Sequence, residues 1–284
     1  MGKEQTNICA GIVTYKPDLS RLKENIDAII GQVPALFIVD NGSEHSKKIE
    51  DLVSRYNKVT LIKNPHNRGI AKALNQLISV AKEHHYPWMI TLDQDSVCYE
   101  GLVNQYLEYV DDSIGMLICD IIDRNYTLKS AMSRDLSKVV LEDVEKCITS
   151  GCCTNVDAVT RSGGFDEKLF IDMVDYDMCY SLREHGYRIV NAHFTGLLHE
   201  VGKSKKYHIL GFEFAVNNHS AERKYTISRN SVYLVKKHRL NPISEYALIF
   251  RRILTAFFFE ENKLAKIKAI LKGVSDGWKM QKDL

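Results

Sequence analysis

Residues 88–95 read WMITLDQD, an apolar run as long as a β-strand that ends directly in two carboxylates. An uninterrupted apolar run of this kind is typical of a strand that is buried on both faces. Comparable runs precede it at residues 8–13, 35–39 and 59–62, and amphipathic helical stretches separate them, at about residues 19–30, 47–56 and 70–84. Strands that alternate with helices in this way predict a mostly parallel α/β sheet with helices on both faces.

Polar residues follow three of these strands at the point where each strand ends. They are Thr14-Tyr15, Asp40-Asn41 and Asp93-Gln94-Asp95. In an open α/β sheet this is the edge where ligands bind, so we expect these side chains to share one site. No glycine-rich dinucleotide fingerprint follows the first strand, and no complete GxxxxGK(S/T) phosphate loop occurs. A dinucleotide-binding fold and a phosphate-loop NTPase therefore lack their signatures.

The pair Asp93 and Asp95 offers oxygen ligands of the kind that Mg²⁺ or Mn²⁺ prefers. A divalent cation held there can bridge the diphosphate of a nucleotide and neutralise charge on a leaving group. The alternative is a simple cap between strand and turn, made of Asp and Ser. Taken alone, the Asp-x-Asp spacing leaves both interpretations open.

Two further segments have a binding and a structural interpretation. Residues 40–43, DNGS, are turn residues after a strand. In the functional alternative, Asp40 accepts a hydrogen bond from the imide N–H of uracil or thymine. Arg68 precedes the start of a helix, where it could contact a phosphate or could be a solvated loop residue.

Candidate acids and a candidate histidine lie further along the chain. Asp172, Asp175 and Asp177 surround the start of a helix predicted at residues 177–185, where negative charge is favoured in any case. One of them, placed beside an acceptor, could be a general base. His199 is isolated in sequence and a lone histidine is more often structural, but beside two aspartates it would complete a metal site.

In this order and spacing, these segments resemble the inverting family 2 glycosyltransferases of GT-A fold. The matching runs are VTYKPD (13–18), IVDNGS (38–43), NRGIAKALNQ (67–76), TLDQDS (91–96) and GGFDEKLFIDMVDYDMCYSLREHGY (163–187). Within the family they look most like the bacterial rhamnosyltransferase branch. The resemblance covers residue 8 to about residue 238, and it favours the metal-binding interpretation of the Asp-x-Asp pair.

The resemblance implies roles for individual residues. Those that match the nucleotide-sugar site are Thr14, Tyr15, Asp40, Asn41, Arg68, Asp93, Gln94, Asp95 and Arg229, with Asp40 on the pyrimidine. Asp93, Asp95 and His199 match the residues around Mg²⁺ or Mn²⁺. Asp175 matches the catalytic base, although Val174 stands before it where the family has an acid.

The resemblance also implies the reaction. It is transfer of a sugar with inversion, from a nucleotide-sugar donor to a saccharide acceptor that is lipid-linked, in bacterial cell-surface polysaccharide synthesis. The expected donor is dTDP-β-L-rhamnose, which would give an α-L-rhamnoside. The alternative is the same fold with UDP-galactofuranose, UDP-galactose or UDP-N-acetylglucosamine.

Charge is distributed unevenly along the 284 residues. Residues 201–284 contain 17 Lys and Arg against 7 Asp and Glu, whereas residues 1–200 contain 21 against 29. A nucleic-acid-binding protein would also be basic, but we find neither interleaved exposed aromatics nor a recognisable module, so we expect no nucleic acid.

We expect a GT-A, Rossmann-like catalytic domain at 1–240, with a nucleotide-binding half at about 1–97 and an acceptor half at 98–240. A basic, amphipathic, helical C-terminal segment would follow at 241–284.

Two apolar stripes run through that C-terminal segment. They are Tyr246, Ile249, Phe250, Ile253 and Phe257, then Leu264, Ile267, Leu271, Val274 and Trp278, with Arg251, Arg252, Lys263, Lys266, Lys268 and Lys272 largely off them. This pattern predicts helices that bind an anionic membrane surface. The alternative is that both stripes pack on the catalytic domain or form a dimer interface.

With no apolar run near the roughly 18 residues of a membrane span and no export signal, we expect a cytoplasmic protein, peripheral on the inner face of the membrane.

Overall fold

The computed structural model describes residues 8–123, 140–199, 204–209 and 212–281. The chain forms two compact units, the first made of Met1–Phe170 with Val174–Val201 and the second of Ile171–Met173 with Gly202–Leu284. The catalytic domain expected from the sequence ends at residue 240, whereas the first unit ends at Val201. Residues 202–240 are part of the second unit.

The first unit contains nine strands and six helices among its described residues. The strands are β1 (Ile8–Thr14), β2 (Leu36–Asp40), β3 (Val59–Lys63), β4 (Trp88–Asp93), β5 (Val97–Cys98), β6 (Ile114–Asp123), β7 (Glu142–Asp143), β8 (Cys152–Asn155) and β9 (Arg188–His199). The helices are α1 (Leu19–Ile30), α2 (Ser46–Val53), α3 (Ile70–Glu83), α4 (Leu102–Tyr109), α5 (Val156–Arg161) and α6 (Val174–Glu184). The strand and helix order predicted for residues 8–93 is confirmed.

The strands of the first unit form one sheet in the order β3-β2-β1-β4-β8-β6-β9-β5, with β7 beside β9. Neighbours from β3 to β4 are parallel, and so are β6 and β9. Strand β8 runs antiparallel to both of its neighbours, β4 and β6. The predicted fold class, a mostly parallel α/β sheet, is therefore confirmed, and antiparallel pairs extend the sheet beyond β4.

Helix α1 shows why these stretches fold as the sequence pattern suggests. Asp18 caps it, since its carboxylate accepts hydrogen bonds from the backbone N–H groups of Ser20 and Arg21. Leu22, Ile26 and Ile29 recur at helical spacing and are fully buried in the core of the sheet. All seven cysteines are free and buried.

The second unit is a hairpin followed by three helices. Its elements are β10 (Ser204–Ile209), β11 (Phe212–Asn217), α7 (Ala221–Lys237), α8 (Pro242–Phe259) and α9 (Lys263–Lys279). Helices α7 and α9 lie in close contact, because a Cβ on Gly273 or Gly277 would stand only 2.4 Å from a backbone oxygen of α7. None of the helices among the described residues has the length and apolar character needed to cross a membrane.

The predicted apolar stripes divide between the inside and the outside of the second unit. Tyr246, Ile249, Ile253, Ile267 and Val274 pack together around Val232, Ala256 and Ile270, so these stripe residues form a core. The other stripe residues, Phe250, Phe257, Leu264, Leu271 and Trp278, are exposed. Three residues of the first stripe and two of the second therefore pack inside the second unit, and the other five are exposed.

Candidate active site

The sheet register brings the polar strand ends of the first unit together. Thr14 at the end of β1 pairs with Asp40 of β2, and Val13 pairs with Asp93 of β4. Three of the predicted segments therefore lie side by side at one edge of the sheet, where ligands bind in folds of this class.

Asp40 and Thr14 form a buried polar floor at this edge. Both residues are fully buried, and Asp40 Oδ1 accepts a hydrogen bond from the Ser43 N–H at 3.1 Å. Asp40 Oδ2 and Thr14 Oγ1 are buried without a hydrogen-bond partner in the described part of the chain. A buried acceptor left unpaired costs about 1–3 kcal/mol, so these two oxygens are suited to a donor group on a ligand.

Asn41 holds the loop that carries Arg68. Its Oδ1 accepts from the Arg68 N–H at 3.0 Å, and its Nδ2 donates to Gly69 O at 3.1 Å. The turn before the loop requires glycine at position 42, where φ is +84° and a Cβ would meet the His66 backbone at 2.3 Å. The contacts of Asn41 are those of a positioning residue, and the Arg68 side chain is left exposed at the edge of the sheet.

Gln94 and Tyr15 link two of the strand ends. The Tyr15 N–H donates to Gln94 Oε1 at 2.9 Å, which ties the end of β1 to the Asp-x-Asp turn. The ring of Tyr15 remains 40% exposed. Tyr15 therefore presents an aromatic face to solvent at the same edge as Asp40.

Asp93 and His199 approach each other at the end of β4. His199 Nε2 lies 4.0 Å from Asp93 Oδ2, and His199 Nδ1 lies 2.9 Å from Ser96 Oγ. Desolvation raises the pKa of the Asp93 carboxyl; His199 opposes this shift and Asp95 adds to it. The backbone of Asp93 is held by Ser150, whose Oγ accepts from its N–H at 3.1 Å.

The donor set at this edge fits a divalent cation. Asp93 and Asp95 supply carboxylate oxygens, and the Nε2 of His199 faces Asp93 while Ser96 engages its Nδ1. No cluster of three or more His, Cys, Asp or Glu side chains arranged to hold a metal occurs within the described ranges. An open set of this kind suits a metal that takes further oxygen ligands from a diphosphate, as Mg²⁺ and Mn²⁺ do.

The three acids around α6 have different surroundings. The helix begins at Val174, earlier than predicted, so Asp175 lies in its first turn, half-buried, and accepts from the Tyr176 N–H at 3.0 Å. Asp177 is completely buried. Asp172 belongs to the second unit, where Arg223 Nε and Nη2 each lie 3.1 Å from its Oδ1. Of the three, Asp175 best combines access with a place in the first unit.

Arg229 belongs to the second unit and lies on α7. Its Nε donates to Asn230 Oδ1 at 2.9 Å, and its guanidinium lies 5.9 Å from the centre of the Tyr225 ring. Asn230 in turn donates to the backbone oxygens of Ile171 and Asp172. The expected donor-binding role of Arg229 stays a prediction.

Residues of α3 that were not among the predicted site residues fix the loop after α5 in place. Asn75 of α3 forms a double hydrogen bond with the backbone of Phe165, at 2.8 and 2.9 Å. Lys72 and Asn75 also both contact Glu167. Asn75 and Lys72 lie in the quoted run at 67–76 and Glu167 in the run at 163–187, but only tertiary structure shows that the two runs meet.

Comparison with known sequences defines the class of protein. Residues 9–165 match Glycosyl transferase family 2. This match covers more than half of the chain and includes the strand ends described above. The chain therefore belongs to family 2 of the glycosyltransferases and is a glycosyltransferase.

Individual relatives agree with this assignment. The chain is 28% identical to the dTDP-rhamnosyl transferase RfbF of Shigella flexneri, over 96% of this chain and 95% of that protein. It is similar in fold to S. aureus TarS 1-349, with a TM-score of 0.61 and 11% identity, over 95% of this chain and 80% of that one. It is likewise similar to GalNAc-T7 in a structure with UDP, GalNAc and Mn²⁺, with a TM-score of 0.60 and 14% identity, over 98% of this chain and 57% of that one.

Proposed function

We propose that this glycosyltransferase moves L-rhamnose from dTDP-β-L-rhamnose to a lipid-linked saccharide, in the synthesis of a bacterial cell-surface polysaccharide. The relationship to RfbF, a dTDP-rhamnosyl transferase, over almost the full length of both chains carries the choice of sugar. The unpaired Asp40 Oδ2 at the sheet edge supports a pyrimidine nucleotide, because thymine presents one imide N–H donor.

The mechanism we propose is a single displacement with inversion. Asp175 takes the proton of the acceptor hydroxyl while its oxygen attacks the anomeric carbon from the face opposite the nucleotide. The bond from that carbon to the diphosphate breaks, and dTDP leaves with the electron pair. Arg68 and the neighbouring polar groups of the strand ends orient the donor.

Asp93 and Asp95, with His199, are the residues that would hold Mg²⁺ or Mn²⁺. When bound, this cation supplies positive charge that stabilises the departing diphosphate. Ser96 and Ser150 support the site, because their hydroxyl oxygens lie 2.8 Å apart and connect His199 to the backbone of Asp93.

A panel of nucleotide sugars tests the proposed donor. The protein is incubated with dTDP-β-L-rhamnose, UDP-galactofuranose, UDP-galactose and UDP-N-acetylglucosamine, each with Mn²⁺ or Mg²⁺, and release of the nucleoside diphosphate is measured. We expect dTDP-rhamnose to be turned over fastest. Faster turnover of any UDP-sugar would contradict the proposed donor.

We further propose that the enzyme works in the cytoplasm on the inner face of the membrane and docks through α8. Five exposed apolar residues fall on one side of this helix by their spacing: Ile243, Phe250, Leu254, Phe257 and Phe258. Lys263 lies beside them, with its Nζ 5.8 Å from the centre of the Phe257 ring. Exposed aromatic residues beside basic ones suit an anionic lipid surface, where each Lys or Arg contributes about 1 kcal/mol.

Liposome flotation tests this surface. We expect the protein to float with anionic vesicles at low salt, and the double variant Phe250→Ser, Phe257→Ser to lose most of that binding. Leu271→Ser, an equally exposed apolar position on α9, is the matched control. Absence of binding by the unaltered protein, or equal losses in both variants, would contradict the proposal that α8 is the membrane-binding surface.

A further inference from the structure

A cavity of about 320 Å³ lies inside the second unit. Basic side chains form one part of its wall, namely Lys224, His219, Arg251 and Arg252, and the polar residues Asn217, Thr255 and the acidic Glu260 also line it. Apolar side chains form another part, namely Met173, Val216, Ile227 and Leu248. Among the lining residues that the structure describes, His219 has the one aromatic ring, and there is no Phe, Tyr or Trp.

The charges behind the basic wall are not balanced. Lys224 and Lys266 both pair with Glu260, whose carboxylate is completely buried, and Lys266 Nζ lies 2.9 Å from Glu260 Oε2. Lys224 is itself only 7% exposed. Two ammonium groups therefore share one carboxylate, and the excess positive charge lies where water cannot solvate it well. An anion in the cavity would offset the cost of burying that charge.

Arg251 and Arg252 add positive charge at the same cavity. Arg251 is exposed on α8 and forms no ion pair with a carboxylate among the described residues, and Arg252 Nη1 donates to Ser231 Oγ at 3.1 Å. Burial lowers the pKa of His219, and the nearby Arg223 and Lys224 lower it further. Asp172 and Glu260 oppose this lowering of the His219 pKa, each more weakly.

We propose that this cavity binds the phosphate or diphosphate group of an amphiphilic phosphate ester, with the first carbons of its hydrocarbon chain against Ile227, Leu248 and Met173. The basic wall matches the anionic head, and Arg251 can form paired hydrogen bonds with phosphate oxygens. A free inorganic anion would leave the apolar wall without a function. The inference rests on the proposed function in one respect, since a lipid-linked acceptor is a ligand of this chemistry.

The cavity adjoins a strained segment of the backbone. Asp172 and Met173 both have φ of +65°, a conformation that costs a residue with a side chain about 1–3 kcal/mol. Asn230 and Arg223 hold this segment from α7. Met173 lines the cavity, and Asp175 follows it two residues later in the chain. A ligand in the cavity would therefore contact the segment that leads into the first turn of α6.

Calorimetric titration of the full chain in EDTA tests the proposal. Three probes are used: geranyl diphosphate, inorganic pyrophosphate and geraniol. We expect geranyl diphosphate to bind most tightly and geraniol not to bind. Arg251→Ala should weaken geranyl diphosphate binding by roughly tenfold to a hundredfold, because it removes charge-assisted hydrogen bonds. Lys268→Ala removes one exposed positive charge of α9 outside the cavity and should change nothing.

Several outcomes would overturn the proposal. Absence of geranyl diphosphate binding would do so, and so would equal affinity for pyrophosphate, which would assign the site to a free anion. A loss caused by Arg68→Ala but not by Arg251→Ala would place the probe in the nucleotide site. Because no donor sugar is present, failure of this experiment leaves the donor panel unaffected, and the two proposals can fail separately.

Discussion

The end of β2 and the end of β4 lie at the same edge of the sheet, but they are built differently. At β2, Asp40 is fully buried, and the adjacent Asn41 connects four loop residues through its amide. At β4, the side chain of Asp93 is 46% exposed, and the Nε2 of His199 lies 4.0 Å from its Oδ2. The first site is preformed by protein contacts, whereas the second has open positions for further ligands.

This difference indicates a division of labour within the proposed donor site. A rigid, desolvated acceptor such as Asp40 selects a ligand by its hydrogen-bond donors, because a mismatched ligand leaves the oxygen unpaired. The half-buried carboxylates of Asp93 and Asp95 select much less by themselves, but they can bind a cation together with a diphosphate. Base recognition is therefore expected to depend on the protein alone, and leaving-group stabilisation on the protein with its metal.

The largest effect is expected at the β4 end. Asp95→Asn should reduce turnover of dTDP-rhamnose by about 10⁴ or more, because it removes a charged metal ligand whose contribution is several kcal/mol. The fold should persist, since the apolar residues of β4 are unchanged. Release of dTDP at saturating Mn²⁺, with circular dichroism as the control, measures both. Full activity of this variant, or of the unaltered protein in excess EDTA, would remove the metal from the mechanism.

The next largest effect is expected on the chemical step, with little change in the affinity for dTDP. Asp175→Asn should lower turnover by about 10²–10⁴ while dTDP affinity stays nearly unchanged, because only proton transfer is lost. Asp172→Asn and Asp177→Asn are the comparison variants, and single-turnover kinetics are the measurement. If either of them were far more damaging to turnover than Asp175→Asn, the base would be assigned wrongly.

A smaller effect, on affinity, is expected at the β2 end. Asp40→Asn keeps the shape of the side chain but can present an N–H to the thymine imide N–H. We expect dTDP to bind roughly tenfold to a hundredfold more weakly, with little change in turnover at saturation. A competition titration without metal measures the dTDP affinity by itself. Unchanged dTDP affinity would show that Asp40 does not contact the base.

The smallest effect is expected on stability, at the loop that Asn41 holds beside the end of β2. Asn41→Ala should lower the free energy of unfolding by about 1–3 kcal/mol, because it leaves buried loop groups without partners. Urea denaturation of this variant is compared with Asn57→Ala, which deletes the same side chain at an exposed turn position. Equal midpoints for the two variants would mean that the Asn41 contacts contribute nothing measurable.

Much of the fold and part of the site could be predicted from sequence alone. The strands and helices of residues 8–93 follow from apolar periodicity and capping residues, which act over a few positions. Asp40, Asp93 and Asp95 were identifiable because each follows a buried strand, and strand ends converge in an α/β sheet. The predicted start of helix α6 was three residues too late. Acidic residues are favoured both within the first turn of a helix and just before it, so Asp175 and Asp177 do not show where the helix begins.

Other features were decided only by tertiary structure, because they depend on residues far apart in the chain. Helical spacing identifies a stripe on α8, but only packing against α7 and α9 shows that Ile249 is core and Phe250 is surface. Ser150 and Asn75 carry no sequence signal for their roles, since a hydroxyl or an amide bonds whatever backbone group the fold brings near. The pairing of Lys224 and Lys266 with Glu260 likewise requires three separate segments to meet in one buried place. Local pattern therefore determined the elements and the strand ends of this protein, whereas non-local burial decided which polar groups support the site and which face of α8 is exposed.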